Sequence, residues 1–207
     1  AAVGNSDSHT VSKNIAGIPR NYVHVGTDDA GNIDPAKVTE AIRSGRMSTT
    51  TGPFLRMTAN GYPMGSTVSI FDPFVDIHID VQAASWIDLD SVRIIQNGDE
   101  VASITTEVVK RGWCKGMEMT HLRPRLRIDI PRDCWIIAIA EGDEPMIPYV
   151  MHDDRDVLPL AIANPIYIDA DGDGTYTPPR VWASNAVANG DLESIVNLYN
   201  EVNPTEQ

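Results

Sequence analysis

Basic side chains are scarce in this chain. Of 207 residues, 16 are Lys or Arg against 29 Asp or Glu, giving a net charge of -13 at neutral pH. That surplus repels phosphate backbones and anionic lipid, so neither nucleic acid nor a membrane surface is expected as a partner; it suits cations. Long hydrophobic runs are absent too: no stretch of about 18 apolar residues exists to cross a bilayer as a helix. Cysteine is limited to Cys114 and Cys134. Without a CxxC spacing they form no metal site, which leaves one disulfide or two thiols. Cys134 opens an apolar run, and that favours a buried thiol. Five histidines occur (His9, His24, His78, His121 and His152), and no two of them form His-x-His or His-x-x-x-His. A Gly-x-Ser-x-Gly elbow, a phosphate-cradling glycine loop and a dinucleotide fingerprint are all missing.

What is present is ordinary globular material, 42% apolar and 22% charged, enough for one good core or for one domain with an appended segment. Residues 1–33 lack sustained periodicity and read as loops and short strands. A helix follows, with Asp34 as N-cap, Pro35 in the first turn, Val38, Ala41 and Ile42 as its apolar stripe, and Gly45 closing it. From about 53 to 168 the pattern is that of strands. Val75, Ile77, Ile79, Val81 and Ala83 alternate with Asp76, His78, Asp80 and Gln82, a half-buried strand with one wet face. Asn97-Gly98 marks a hairpin between 92–95 and 101–109. Leu126, Ile128 and Ile130 alternate with charges, and 134–140 is apolar throughout, as in a strand covered on both faces. Short strands at this spacing, with no helical pattern between them, predict an antiparallel β-sandwich. Leu192, Ile195, Val196, Tyr199 and Val202 then share one face of a C-terminal helix capped by Asp191.

Two segments carry metal-ligating residues. Asp7-Ser8-His9 would place a carboxylate and an imidazole on one face of a strand, a pair suited to zinc, manganese or iron. Asp169-Ala170-Asp171-Gly172-Asp173-Gly174 has acids at positions 1, 3 and 5 and Gly at 6, the first half of a calcium loop. Position 12 is Arg180 rather than Glu, and Pro178-Pro179 leaves no helix to exit into, so it is not an EF-hand. Asp153, Asp154 and Asp156 are candidates for the missing oxygen ligands, and the alternative is an acidic surface turn. Arg20 could hold an anionic substrate or pair with one of many carboxylates. His24 reads as structural. Trp113 lies in a loop-like stretch where an exposed indole could stack on a sugar or a partner.

Four segments in order resemble one family: Gly4-Asn5-Ser6-Asp7-Ser8-His9; Gly17-Ile18-Pro19-Arg20-Asn21-Tyr22-Val23; Ala41-Ile42-Arg43-Ser44-Gly45-Arg46 running into Thr51-Gly52-Pro53; and Asn164-Pro165-Ile166-Tyr167-Ile168 leading into the acidic turn. They are similar to the C-terminal portion of CehA/McbA-type metallohydrolases of the PHP (polymerase and histidinol phosphatase) superfamily. The resemblance implies that Asp7 and His9 are the last metal ligands of a β/α barrel. The barrel's early His-x-His motif and its middle Glu and His ligands have no counterpart in these residues.

The chain is therefore expected to be the C-terminal part of a metal-dependent hydrolase acting on a small phosphoester, ester or carbamate-like substrate, and inactive alone. Its catalytic and metal-binding residues would be Asp7 and His9, with Arg20 on the substrate and calcium at Asp169, Asp171 and Asp173. Residues 1–50 would be the end of the barrel (short strand plus helix), 51–180 the accessory sandwich and 181–207 a helical tail. Its partner would be the missing N-terminal barrel of the same protein. The competing expectation is a non-catalytic, calcium-stabilised sandwich that binds carbohydrate or protein. The resemblance and the acidic turn lean towards an exported protein.

Overall fold

In the computed structural model the described residues are 1–10, 16–105, 110–111, 119–147, 151–152 and 155–202. Trp113, Cys114, Asp153 and Asp154 lie outside them. The elements run β1 (Arg20–Val23), α1 (Pro35–Arg43), β2 (Met47–Thr50), β3 (Phe54–Ala59), β4 (Tyr62–Pro63), β5 (Thr67–Ser69), β6 (Phe74–Ala83), β7 (Ser91–Gln96), β8 (Asp99–Thr105), β9 (Lys110–Arg111), β10 (Met119–Leu122), β11 (Arg125–Asp129), β12 (Cys134–Glu141), β13 (Met151–His152), β14 (Arg155–Asp156), β15 (Leu160–Ala163), β16 (Ile166–Asp169), α2 (Pro179–Ala188) and α3 (Leu192–Val202).

The chain is mainly β, and its two large sheets make the sandwich. In the first, β12 is the hub: β15 and β16 pair along one edge, β7 and then β8 along the other. β1 and β2 extend it beyond β15, and β5 joins β16 in parallel. The second sheet is built on β6, flanked by β3 on one side and by β10 and β11 on the other. Leu55, Met57, Val75, Ile77 and Val81 of the second sheet and Val92, Ile94, Ile136, Ala138, Ile166 and Ile168 of the first belong to one buried cluster. Removing this apolar surface from water is the main stabilising term, and it leaves the opposite face of β6 polar.

Local chemistry explains most elements. Asp34 caps α1 by accepting from the Ala36 amide, Pro35 stands in the first turn and Gly45 takes φ +75 just past the end. Ala41 faces the core, whereas Ile42 stays 39% exposed. Asn97 and Gly98 both have positive φ, the geometry that joins twisted strands tightly. β12 is fully buried on one face only; Trp135, Ile137 and Ile139 on the other are half-buried, so the strand is not covered on both sides as its composition suggests. Cys134 is a free, buried thiol, its pKa pushed up to about 12 by burial.

β2 ends at Thr50 and lies between β1 and β15 in the first sheet. One further finding revises expectation. Pro178-Pro179 does not bar a helix; it begins α2, with Pro178 as the N-cap residue and Pro179 in the first turn. A proline there loses no helical hydrogen bond because the first amides are unpaired anyway. The tail is thus a helix pair, and Asp191 caps α3 through the Ser194 amide. Arg132 lies over the Trp182 ring at 4.5 Å and ties α2 to the sandwich.

Candidate metal ligands and their supports

The segment before Asp7 is clamped to the sandwich by two asparagines. Asn164, directly after β15 and 1% exposed, accepts from the Ala2 amide (2.6 Å) and donates to the Ala2 and Met47 carbonyls (3.0 Å each). Asn21 of β1 accepts from the Gly4 amide and donates to the Gly4 carbonyl, both at 2.8 Å. Each side-chain amide thus matches a backbone unit donor for acceptor, as a neighbouring strand would. Gly4 lies so close that a Cβ there would sit 2.1 Å from Thr49 Oγ1 and 3.1 Å from the Arg20 carbonyl oxygen.

Beyond Gly4, Ser6 is half-buried and the residues from Asp7 to Thr10 are exposed. Asp7 and His9 are not in a strand: Asp7 adopts φ 49, and the Asn5 carboxamide accepts its amide at 3.2 Å. The expected period-two pairing gives way to a turn, which still brings the residues together. His9 Nδ1 is 2.6 Å from the Asp7 carbonyl oxygen and 3.9 Å from its carboxylate. A carbonyl only accepts, so Nδ1 carries the proton. In the neutral ring Nε2 then holds the lone pair, the arrangement typical of a metal-binding imidazole. Both side chains face solvent, His9 75% and Asp7 86% exposed.

Arg20 is anchored. Its Nη2 donates to the Gly52 carbonyl (3.0 Å) and the Tyr22 hydroxyl (3.3 Å), beside a cleft of about 430 Å³ that Tyr22, Phe54, Gln82 and Trp86 also line. It is therefore a strut between β1 and the Gly52 turn, and it also forms part of the cleft wall.

The acidic turn is organised differently from its sequence pattern. Asp169, fully buried at the end of β16, accepts from the Ser69 hydroxyl and from the Gly172 and Gly174 amides, the latter two at 2.8 Å. The Ser69 hydroxyl, then these amides, hold its carboxyl below the ordinary aspartate value against the opposing effect of burial. Asp171 is exposed and lies close to Asp169, but Asp173 turns aside to accept from the Thr175 amide and hydroxyl. The third member is Asp133, whose two oxygens take the Ala170 and Thr177 amides at 2.7 Å each. Oxygens of Asp133, Asp169 and Asp171 lie within 4.8 Å of one another, the only such metal-capable group of three among the described residues. The Asp173 amide favours the Asp171 anion. Desolvation, the charges of Asp173 and Asp133 and a hydrogen bond to Asp169 outweigh it, and the Asp171 carboxyl sits above its ordinary value.

Sequence reasoning missed Asp133 because it precedes β12, 36 residues before Asp169. Only the pairing of Cys134 with Ile168 brings the start of β12 to the end of β16. Asp156 is exposed on β14 and is not in the group.

Comparison with models of known families, with curated proteins and with solved structures finds no match to this chain.

Proposed function

We propose that this chain is the C-terminal part of a metal-dependent hydrolase, supplying Asp7 and His9 to a catalytic centre whose other ligands come from a preceding barrel. The observation that supports it most is the double asparagine clamp. It fixes residues 2–4 on the sandwich, and beyond them the Asp7 and His9 side chains are largely exposed, with His9 Nδ1 against the Asp7 carbonyl. Two donors fit a share of a zinc, manganese or iron shell and cannot complete one, so the chain alone is inactive. A bound divalent ion would supply a hydroxide and polarise the phosphoryl or carbonyl oxygen of a small substrate. Within this chain Asp7 and His9 would hold that ion, the clamp would position them, and Arg20 would line the approach for an anionic group.

The test is to replace Asp7 and His9 by Ala in the longer protein that includes the barrel. Transition-metal content and hydrolysis should both fall; unchanged metal and turnover would overturn the assignment. Hydrolysis of an aryl phosphate or ester by the isolated chain would contradict its inactivity alone.

The convergence of Asp133, Asp169 and Asp171 favours a second reading, a sandwich stabilised by calcium and acting as a binding module. At a calcium concentration a hundredfold above Kd, this reading requires added stability of about 2.7 kcal/mol, reversed by chelator. A melting temperature indifferent to both removes it.

A further inference from the structure

The wet face of the second sheet carries the opposite charge to the molecule as a whole. Across a chain of net charge -13, Arg56 of β3, Arg123 between β10 and β11, and Arg125 of β11 gather around Asp80 of β6. The pocket they line with Thr58 and His78 has a volume of about 260 Å³. The register explains the gathering: Arg56 lies opposite Asp80, and His78 lies between Thr58 and Arg125.

We propose that this pocket binds a single phosphate group, as the free ion or as the monoester of a small molecule. Three observations carry the inference. First, the arginine charge is not used up. Asp80 Oδ1 is engaged by His121 Nε2 (3.1 Å) and Gln82 Nε2 (3.2 Å), while Oδ2 is shared by Arg123 (3.4 Å) and Arg56 (3.6 Å), both longer than a good charge-assisted bond. Arg125 makes no ion pair among the described residues. The neighbouring Arg127 shows what a closed pair looks like here: it grips Asp76 bidentately at 2.9 and 3.1 Å and lies over the Phe74 ring.

Second, three guanidiniums from separate chain positions against one carboxylate leave an excess of two positive charges, which a phosphate dianion balances. Third, Asp80 lines the pocket and can only accept hydrogen bonds. The hydrogen phosphate dianion keeps one proton that it can donate to Asp80, and a monoester does so only as its singly protonated monoanion, whereas sulfate, fully ionised, meets an unrelieved like charge. The site therefore prefers phosphate to sulfate. Its small size and the acidic surroundings suit one phosphate and not a polymer of them.

The experiment is titration of the chain at low ionic strength, where exposed guanidiniums are least screened, with inorganic phosphate, sulfate and glycerol phosphate, followed by NMR and calorimetry. Saturable phosphate binding with weaker sulfate binding is expected. Arg123→Gln combined with Arg125→Gln should weaken phosphate by about tenfold or more. Arg127→Gln should leave binding unchanged, and Asp80→Asn should narrow the gap between the two anions. Tighter binding of glycerol phosphate than of phosphate would identify a monoester as the ligand; equal or weaker binding would identify the free ion. No saturable phosphate effect, equal loss in Arg127→Gln, or sulfate as strong as phosphate in the parent chain would each overturn the proposal. All but one of these substitutions are at exposed positions, so the arginine variants keep the test intact even if Asp80→Asn fails to fold.

Discussion

At Asp169 a buried carboxylate accepts a serine hydroxyl and two glycine amides, and its neighbour Asp133 accepts two further amides. At Asp7 a carboxylate is 86% exposed, and its described ion pair is with His9 at 3.9 Å. Both segments combine acids with turn formers, and from composition both look like cation sites. The difference lies in where the lone pairs go. The Asp169 turn spends its carboxylates on its own backbone, as an anion does in a concave array of amides, and so closes the end of β16. In the Asp7 segment the asparagine clamp holds residues 2–4, and the Asp7 and His9 side chains beyond it are largely exposed. An acidic motif in the first setting stabilises a fold; in the second it is available to something else.

The sharpest way to break this contrast is Asp169→Asn. An amide NH₂ placed among donors leaves at least one amide unpaired in a buried site, so a loss of about 3 kcal/mol is expected in urea unfolding. A loss below about 0.5 kcal/mol would put Asp169 in the same class as Asp7. The clamp comes next. Asn164→Ala strips partners from Ala2 and Met47 in a buried setting, for an expected cost of about 2 kcal/mol and faster proteolytic cutting within residues 1–10. Stability loss without faster cutting would mean that the segment is held by something other than the asparagines.

Acid sharpens the same comparison. The Asp169 pKa is lowered in the folded state, so its stabilising contribution is present above the unfolded aspartate value of about 3.9 and is lost as pH falls through the lowered folded value. The parent protein should therefore lose stability below about pH 4 more steeply than Asp169→Asn, as read by thermal melts across pH. Parallel curves would contradict the assigned role. The smallest effect is expected at the exposed pair: Asp7→Ala and His9→Ala should each change the stability of this chain by less than about 0.5 kcal/mol.

Much of the fold was legible because it is local. The alternation of Val75 to Ala83, the Asn97-Gly98 turn and the Asp34-Pro35 cap each encode their element within a few residues. What was not legible depends on contacts distant in sequence or on context. Asp133 joins Asp169 only through the β12–β16 pairing. The arginine pocket needs Arg56 and Arg125 brought to opposite edges of β6, which alternation along any one strand does not reveal. Pro178-Pro179 was expected to block a helix and instead starts one, since the same missing amide that breaks a helix interior is harmless in its first turn. Asp-x-His was expected on a strand, but Asp7 takes a left-handed conformation, which a short polar side chain tolerates and periodicity cannot anticipate.

The most direct measurement is elemental analysis of two proteins, this chain and the longer, barrel-containing protein that the proposed function requires, each with and without Asp7→Ala. The account predicts no stoichiometric transition metal in the chain alone and a transition metal in the longer protein that falls when Asp7 is replaced. A transition metal bound stoichiometrically by this chain alone, or one in the longer protein that persists undiminished in Asp7→Ala, would contradict it.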